Sequence, residues 1–198
     1  MSALYRKLAA INIKNNRQFY LPYLLTGSVS VAMFYLVMAM QDNPGLSSLG
    51  GGAQDIRMIL TFGVVVVGVF VSIFLFYTNS FLMKRRKKEL GIYNILGMEK
   101  KHITRVLFLE QLFTAAVTLA VGLAFGIVFN KLLEMILYRL TRIGANIPFY
   151  ISSTGCMNTV KLFLLIYTAT FLYNLMQIKL ANPIELLHSK SAGEREPK

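Results

Sequence analysis

Four long apolar stretches constrain the fold of this chain more than any other feature of its sequence. They cover residues 20–40, 58–81, 106–129 and 160–178. At 1.5 Å per residue, each is long enough to cross about 30 Å of hydrocarbon as an α-helix. Because a soluble domain of 198 residues could not bury four such helices, the sequence predicts an all-α integral membrane protein with four transmembrane helices.

Basic residues are distributed unevenly around these stretches. The segments 1–19, 84–105 and 179–198 carry 16 of the 21 lysine and arginine residues. Since basic residues concentrate on the cytoplasmic side, both termini and the middle loop are predicted to be cytoplasmic. The same distribution explains the net charge of +12 without nucleic acid, and the basic run at 84–88 is interpreted as an anchor that contacts anionic lipid.

The segment 1–19 is predicted to form an amphipathic helix on the inner membrane surface. Leu4, Leu8 and Ile11 fall on one helical face, and neighbouring basic side chains can reach the lipid headgroups. The length of this segment and the lack of a small-x-small cleavage site favour a retained first helix over a cleaved signal peptide.

No catalytic or metal-binding pattern is recognisable. The single cysteine, Cys156, and the histidines His102 and His188 match neither a metal-ligand spacing nor a nucleophile–base set. The glycines at 50–52 lack the lysine and hydroxyl residue of a phosphate-binding loop. An intramembrane enzyme is therefore disfavoured, and neither a metal nor a cofactor is expected.

Glu110 is the acidic residue nearest to the interior of a spanning helix. An ionisable group at that depth can belong to a proton relay, but Glu110 lies close to the start of the third stretch. We expect it to be an inner-interface group near Arg85 or Arg105.

The middle loop contains an apolar stripe directly after its basic run. Ile92, Ile95 and Leu96 have helical spacing. Gly97 follows as a plausible helix C-cap, and a second helix is expected to open at Met98. The pattern predicts a short helix, a glycine break and a new helix. The apolar stripe of the short helix is expected to cover lipid or to dock on a partner.

Small residues at four-residue spacing predict close helix packing. Gly122 and Gly126 form such a pair in the third stretch, and Gly68 and Ser72 form another in the second.

The sequence resembles the FtsX-like permease family of ABC systems. The resemblance lies in the segments 85–92 and 96–103, in Glu110–Gln111 and in 182–187. They are similar to the family's basic-Glu-Leu-apolar pattern, its Leu-Gly-Met-x-basic-basic-x-Ile pattern and its closing Asn-Pro motif. Within the family, the N-terminal half of the bacitracin-resistance type is the most similar, because the loop after the first helix is short.

The resemblance divides the chain into four parts. We expect an interfacial helix at 1–19, a first spanning helix with a short extracellular loop at 20–57, an FtsX-like permease domain at 58–188, and a polar tail or linker at 189–198. A short helix is predicted from Pro183 to about residue 188 within the third part. Because permeases of this type are much longer, the chain is interpreted as a split subunit, a truncated product or a fragment.

The resemblance also implies partners and a site. A cytoplasmic ABC ATPase would bind the ATP, and the ligand class would be antimicrobial peptides or cell-envelope lipid intermediates at the bacterial plasma membrane. A second permease half is a further expected partner. The implied ATPase-docking residues are Glu89, Leu90, Gly91, Ile92, Ile95, Leu96, Gly97, Met98, Glu99, Lys100, Lys101 and Ile103. In the alternative, the chain is a non-transporting adaptor that binds a membrane histidine kinase through Gly122 and Gly126.

Overall fold

The computed structural model describes residues 2–44, 52–95, 97–141 and 151–180, and these residues form helices without a strand. The helices are α1 (Ser2–Asn15), α2 (Arg17–Gln41), α3 (Ala53–Ile95), α4 (Lys100–Thr141) and α5 (Ser153–Leu180). The all-α prediction is confirmed. The predicted helix from Pro183 and the polar tail lie outside the described residues.

Helices α2 to α5 are each long and apolar enough to cross a membrane, which confirms the four predicted spans. The apolar residues of α3 are the least covered by the chain itself, since only 11% of its most apolar window is buried, against 50% for α2. So large an exposed apolar surface would cause aggregation in water. A lipid bilayer is therefore the appropriate solvent for this chain.

Helices α3 and α4 extend well beyond their apolar stretches. They contain 43 and 42 residues, and a helix of that size is roughly 65 Å long, about twice the thickness of a bilayer core. The short helix predicted after the basic run is the last part of α3, and the helix predicted after Gly97 is the beginning of α4. The sequence interpretation therefore divided α3 in two, whereas it expected the helix after Gly97 to continue into the membrane, as α4 does.

Helix α1 joins α2 at Asn16 with little interruption of the backbone hydrogen bonds. The amide of Asn16 donates to the carbonyl of Asn12 at 3.0 Å, and the carbonyl of Asn16 accepts from Tyr20 at 3.1 Å. The inward face of α1 carries Ala9 and Asn12, both 5% exposed, whereas Ile11 is 43% exposed. Of the predicted apolar face, Leu8 is half-buried and Ile11 is exposed, and the side chain of Leu4 lies outside the described residues.

The described residues form two compact units. The first contains α1, α2 up to Tyr23, Phe76–Thr114 and α5 from Tyr167 onward. One apolar cluster within it consists of five buried residues, with Tyr93 and Met98 packed against them. These five residues are Met83, Leu90, Ile103, Leu107 and Ile178.

The second unit contains Leu24–Leu75 and Ala115–Ile166. Val31, Tyr35 and Phe163 are completely buried in it, and the rings of Phe34 and Phe163 meet edge to face with centroids 6.3 Å apart. In this unit α2, α3, α4 and α5 all contribute to the packing.

Candidate functional site

The end of α3 and the beginning of α4 form a tight helical hairpin, here called the α3–α4 hairpin (residues 89–95 and 97–103). Gly97 has a φ of 85°, and the amide of Met98 donates to the carbonyl of Tyr93 at 3.0 Å. Glycine adopts this left-handed conformation without a Cβ penalty, so it ends the helix. The prediction that Gly97 is a helix C-cap is confirmed.

The beginning of α4 is capped by Glu99. Its carbonyl accepts hydrogen bonds from the amides of His102 and Ile103, at 2.9 and 3.3 Å. Its carboxylate lies 3.9 Å from Nε2 of His102. A carboxylate at a helix N-terminus is favoured by the helix dipole, and Glu99 occupies this position at the start of α4.

The hairpin residues implied by the family resemblance separate into a buried and an exposed group. Leu90 and Ile103 are 4% and 3% exposed and belong to the core of the first unit. Gly91 is also buried, while Glu89 and Met98 are half-buried. The exposed residues are Ile92, Gly97, Glu99, Lys100 and Lys101. Leu96 and the side chain of Ile95 lie outside the described part of the chain.

A buried ion pair lies at the base of this hairpin. Nη2 of Arg86 donates to Oε1 of Glu110 at 3.0 Å, and Nη1 contacts Oε2 of the same carboxylate. Arg86 and Glu110 are 3% and 2% exposed. The expected neighbour Arg85 instead lies 5.2 Å from the centre of the Phe81 ring.

Helices α1 and α2 supply further hydrogen bonds to the same carboxylate. The hydroxyl of Tyr20 donates to Oε2 of Glu110, and Nδ2 of Asn12 donates to Oε1, both at 3.0 Å. The Tyr20 hydroxyl also accepts from Arg86. A buried ion pair survives desolvation only when its remaining hydrogen-bonding positions are filled, and these contacts fill the positions around Glu110.

The network continues from the ion pair into the hairpin itself. Oδ1 of Asn12 accepts from the hydroxyl of Tyr93 at 3.0 Å. Glu89 accepts from Nδ2 of Asn16 at 3.0 Å and lies 3.8 Å from Nε of Arg86. Two hairpin residues, Tyr93 and Glu89, are therefore held by side chains of α1 and of the α1–α2 junction.

Sequence reasoning missed Arg86 because it belongs to a run of five basic residues. The signal was present in the helical spacing, since Leu82, Arg86 and Leu90 are four residues apart and share one face of α3. Leu107, Glu110 and Thr114 share one face of α4 in the same way. Extending the apolar period through the basic run would have placed Arg86 on the buried face of α3.

A small cavity of about 20 Å³ lies beside the ion pair and has room for about one water molecule. It is lined by twelve residues: Tyr20, Tyr23, Asn79, Leu82, Met83, Arg86, Leu107, Glu110, Gln111, Thr114, Phe171 and Asn174. A peptide or a lipid headgroup cannot enter so small a space. The hydrogen bonds around the ion pair instead connect α1, α2, α3 and α4.

The second unit has its own polar cluster. Oε1 of Glu134 accepts from Asn43 at 3.0 Å and from Asn130 at 3.1 Å. Ser152 caps α5, because its Oγ accepts from the amide of Gly155 at 2.7 Å and donates to Asp42 at 2.6 Å. These bonds hold the ends of helices in place.

Among the described residues, no group of three histidine, cysteine or acidic side chains could hold a metal ion.

The small residues singled out for helix packing lie in the second unit, and the three glycines among them face other helices of the same chain. A methyl group on Gly122 would lie 2.5 Å from Cβ of Val31, and one on Gly126 would lie 2.9 Å from Cδ1 of Tyr35. Gly68 faces Phe34, and Ser72 donates to the carbonyl of Gly68 at 2.7 Å. The Gly122–Gly126 face is thus occupied by α2.

Comparison with known proteins identifies the family. The profile described as FtsX-like permease C-terminal matches residues 60–183. The chain is similar to the bacitracin export permease protein BceB of Halalkalibacterium halodurans, with 31% identity over 92% of the chain. It is 30% identical over 94% of its length to the BceB of Bacillus subtilis, and 28% identical over 97% to the B. subtilis ABC transporter permease YvcS.

These relatives are much longer than the chain. The alignments cover 28%, 29% and 30% of them, respectively. The chain therefore spans less than a third of the length of the curated relatives it matches.

Proposed function

Because the chain belongs to the FtsX-like permease family of ABC transport systems, we propose that it is a multi-pass permease component that docks on a separate cytoplasmic ATPase through the α3–α4 hairpin. The ATPase would bind and hydrolyse ATP. The permease would respond with a movement of α3 and α4, the two helices that meet at the hairpin.

One observation carries this proposal: the hairpin is firmly anchored at its base and exposed at its tip. Leu90 and Ile103 fix the base in the apolar core, while Ile92, Lys100 and Lys101 remain exposed. An exposed isoleucine and two exposed lysines on one hairpin fit an apolar cleft with an acidic rim on a partner surface. Leu90 and Ile103, which the sequence suggested as contacts, would support the docking surface from below.

The ligand and the wider assembly are proposed from the relatives. Two of them are named bacitracin export permeases, and we infer that an antimicrobial peptide or a cell-envelope lipid intermediate is the ligand class. A second permease half would complete the membrane part. The predicted orientation places the hairpin in the cytoplasm, where the ATPase would reach it, and α1 on the inner surface of the plasma membrane.

Retention of the ATPase tests the docking role. After mild-detergent purification from native membranes, an ATP-hydrolysing subunit should accompany the chain. Ile92→Asp should weaken this association about tenfold or more, because a charge would enter a desolvated contact. Lys101→Glu should weaken it several-fold and reduce its dependence on salt, as expected for a charge at the rim of an interface.

Two variants provide matched controls. Ile151→Asp alters an isoleucine with the same 43% exposure as Ile92, and Arg57→Glu alters an exposed basic residue near the start of α3. Both should retain the ATPase at the normal level. Equal association for Ile92→Asp and the unmodified chain would exclude the hairpin tip as the docking surface.

A further inference from the structure

The contacts between α1 and the α3–α4 hairpin suggest a role for α1 beyond that of a membrane anchor. Among residues 7–15 of α1, whose side chains the structure describes, Ala9 and Asn12 are buried, Leu8 is half-buried and Ile11 is 43% exposed. Burial of an alanine contributes little apolar area. Asn12 and Asn16 add directional hydrogen bonds to this contact.

Asn12 connects two parts of the molecule through a single amide group. Its Nδ2 donates to Glu110, in the buried ion pair, and its Oδ1 accepts from Tyr93, in the hairpin. A carboxylate can only accept hydrogen bonds, so the amide has one orientation that satisfies both partners. If Tyr93 moves, either one of these hydrogen bonds breaks or Asn12 and α1 move with Tyr93.

A second connection lies one helical turn further along the chain. Nδ2 of Asn16 donates to Glu89 at 3.0 Å, so α1 and the α1–α2 junction hold the hairpin at two residues that are four positions apart. Two attachment points on one helix fix its rotation as well as its distance. An apolar contact of similar size would allow the helices to slide, because it has no preferred direction.

We propose that Asn12 is a positioning residue for ATPase docking: through its bonds to Glu110 and Tyr93, α1 sets the orientation of the α3–α4 hairpin. The inference rests on the proposed docking function, and it assigns to α1 the role of holding the docking surface in its binding-competent orientation. Loss of the Asn12 bonds should leave the fold intact and loosen the hairpin.

Hydrogen–deuterium exchange of the chain in phosphatidylethanolamine–phosphatidylglycerol nanodiscs tests the positioning directly. Asn12→Ala should accelerate amide exchange in residues 97–103 about fivefold or more. Exchange in residues 115–130, in the second unit, should stay unchanged. Asn15→Ala is the matched control, since Asn15 is an exposed asparagine of the same helix, and it should change neither segment.

A milder variant tests the same bond in case Asn12→Ala does not fold. Tyr93→Phe removes only the hydroxyl that donates to Asn12, and it should accelerate exchange in residues 97–103 about two- to threefold. Acceleration of both segments to the same extent would show that the bonds merely stabilise the fold. No acceleration in either variant would also overturn the proposal.

ATPase association separates this inference from the docking function. If both hold, Asn12→Ala should weaken ATPase retention about threefold or more, and Asn15→Ala should not. A mobile hairpin with unchanged retention would contradict the role of Asn12 in docking. If Ile92→Asp also retained the ATPase, the proposed docking function would be wrong. If Ile92→Asp lost the ATPase and Asn12→Ala retained it, the docking function would stand and only the role of α1 would be wrong.

Discussion

Arg86 and Glu110 show how the position of a residue within its helix decides its role. Arg86 is one of five consecutive basic residues, and its neighbours Lys84 and Arg85 are exposed. It points inward because it shares a helical face with Leu82 and Leu90. The guanidinium then requires a buried acceptor, and Glu110 on α4 supplies one with two oxygens. The residue types are ordinary, and the pairing makes the base of the hairpin rigid.

Removal of either partner of this pair should destabilise the chain strongly. Arg86→Ala or Glu110→Ala should each lower the free energy of unfolding by about 3–5 kcal/mol, because an uncompensated charge would remain buried. Reversible unfolding in mixed detergent micelles measures this change. Arg85→Ala is the control and should cost less than about 1 kcal/mol, as expected for an exposed cation–π contact.

The double variant isolates the interaction itself. Arg86→Ala combined with Glu110→Ala should cost clearly less than the sum of the two single losses, since neither charge is then left alone. Strict additivity of the single effects would show that the two side chains do not stabilise one another.

At the scale of whole helices, close approach depends on small residues. Gly122 and Gly126 let α4 approach α2 so closely that a methyl group on Gly122 would also lie 2.7 Å from the carbonyl oxygen of Ser28. In a membrane, where the hydrophobic effect does not drive helices together, such close contacts stabilise their association. The same contacts cover the face that a separate membrane partner would need.

Gly122→Ala should therefore destabilise the second unit. The added methyl group would overlap both Val31 and the backbone of α2, at a cost of about 1–3 kcal/mol. Gly63→Ala is the matched control, because its methyl group would meet only Val37 Cγ1 at 3.8 Å. The control should be neutral or stabilising by up to about 1 kcal/mol, since alanine favours helix more than glycine.

Thermal unfolding in nanodiscs distinguishes these two outcomes. If Gly122→Ala unfolded at the same temperature as Gly63→Ala, the backbones of α2 and α4 would not be in the close contact described.

At the scale of the whole molecule, the distribution of charge predicts an orientation in the bilayer. The hairpin and the N-terminal segment belong to the basic side, and the start of α3 belongs to the opposite side. This orientation is required if a cytoplasmic ATPase is to reach Lys101.

Labelling of single cysteines checks the orientation. In a Cys156→Ser background, Gln54→Cys should react with a membrane-impermeant maleimide in intact cells, and Lys101→Cys should react only after the inner surface is opened. Both positions are exposed, so a difference in labelling would report sidedness. Labelling of Lys101→Cys in intact cells would reverse the assigned orientation and remove the proposed docking site from the cytoplasm.

The sequence by itself determined the features that depend on local pattern. Apolar stretches of spanning length identified four membrane helices, and Gly97 marked the end of α3 because a left-handed residue there favours glycine. The family resemblance, carried by short motifs around the hairpin, agreed with the matching profile over residues 60–183.

Only the tertiary structure decided which polar residues meet. Asn12 and Glu110 are 98 positions apart, and Asn16 and Glu89 are 73 apart, so no local spacing relates them. Because one face of α3 packs inward, Arg86 is a buried partner and not a surface charge, and Leu90 is buried and cannot belong to the proposed docking surface. Pairings of this kind depend on the packing of four helices at once, because each helix can present several faces and only their mutual fit selects one.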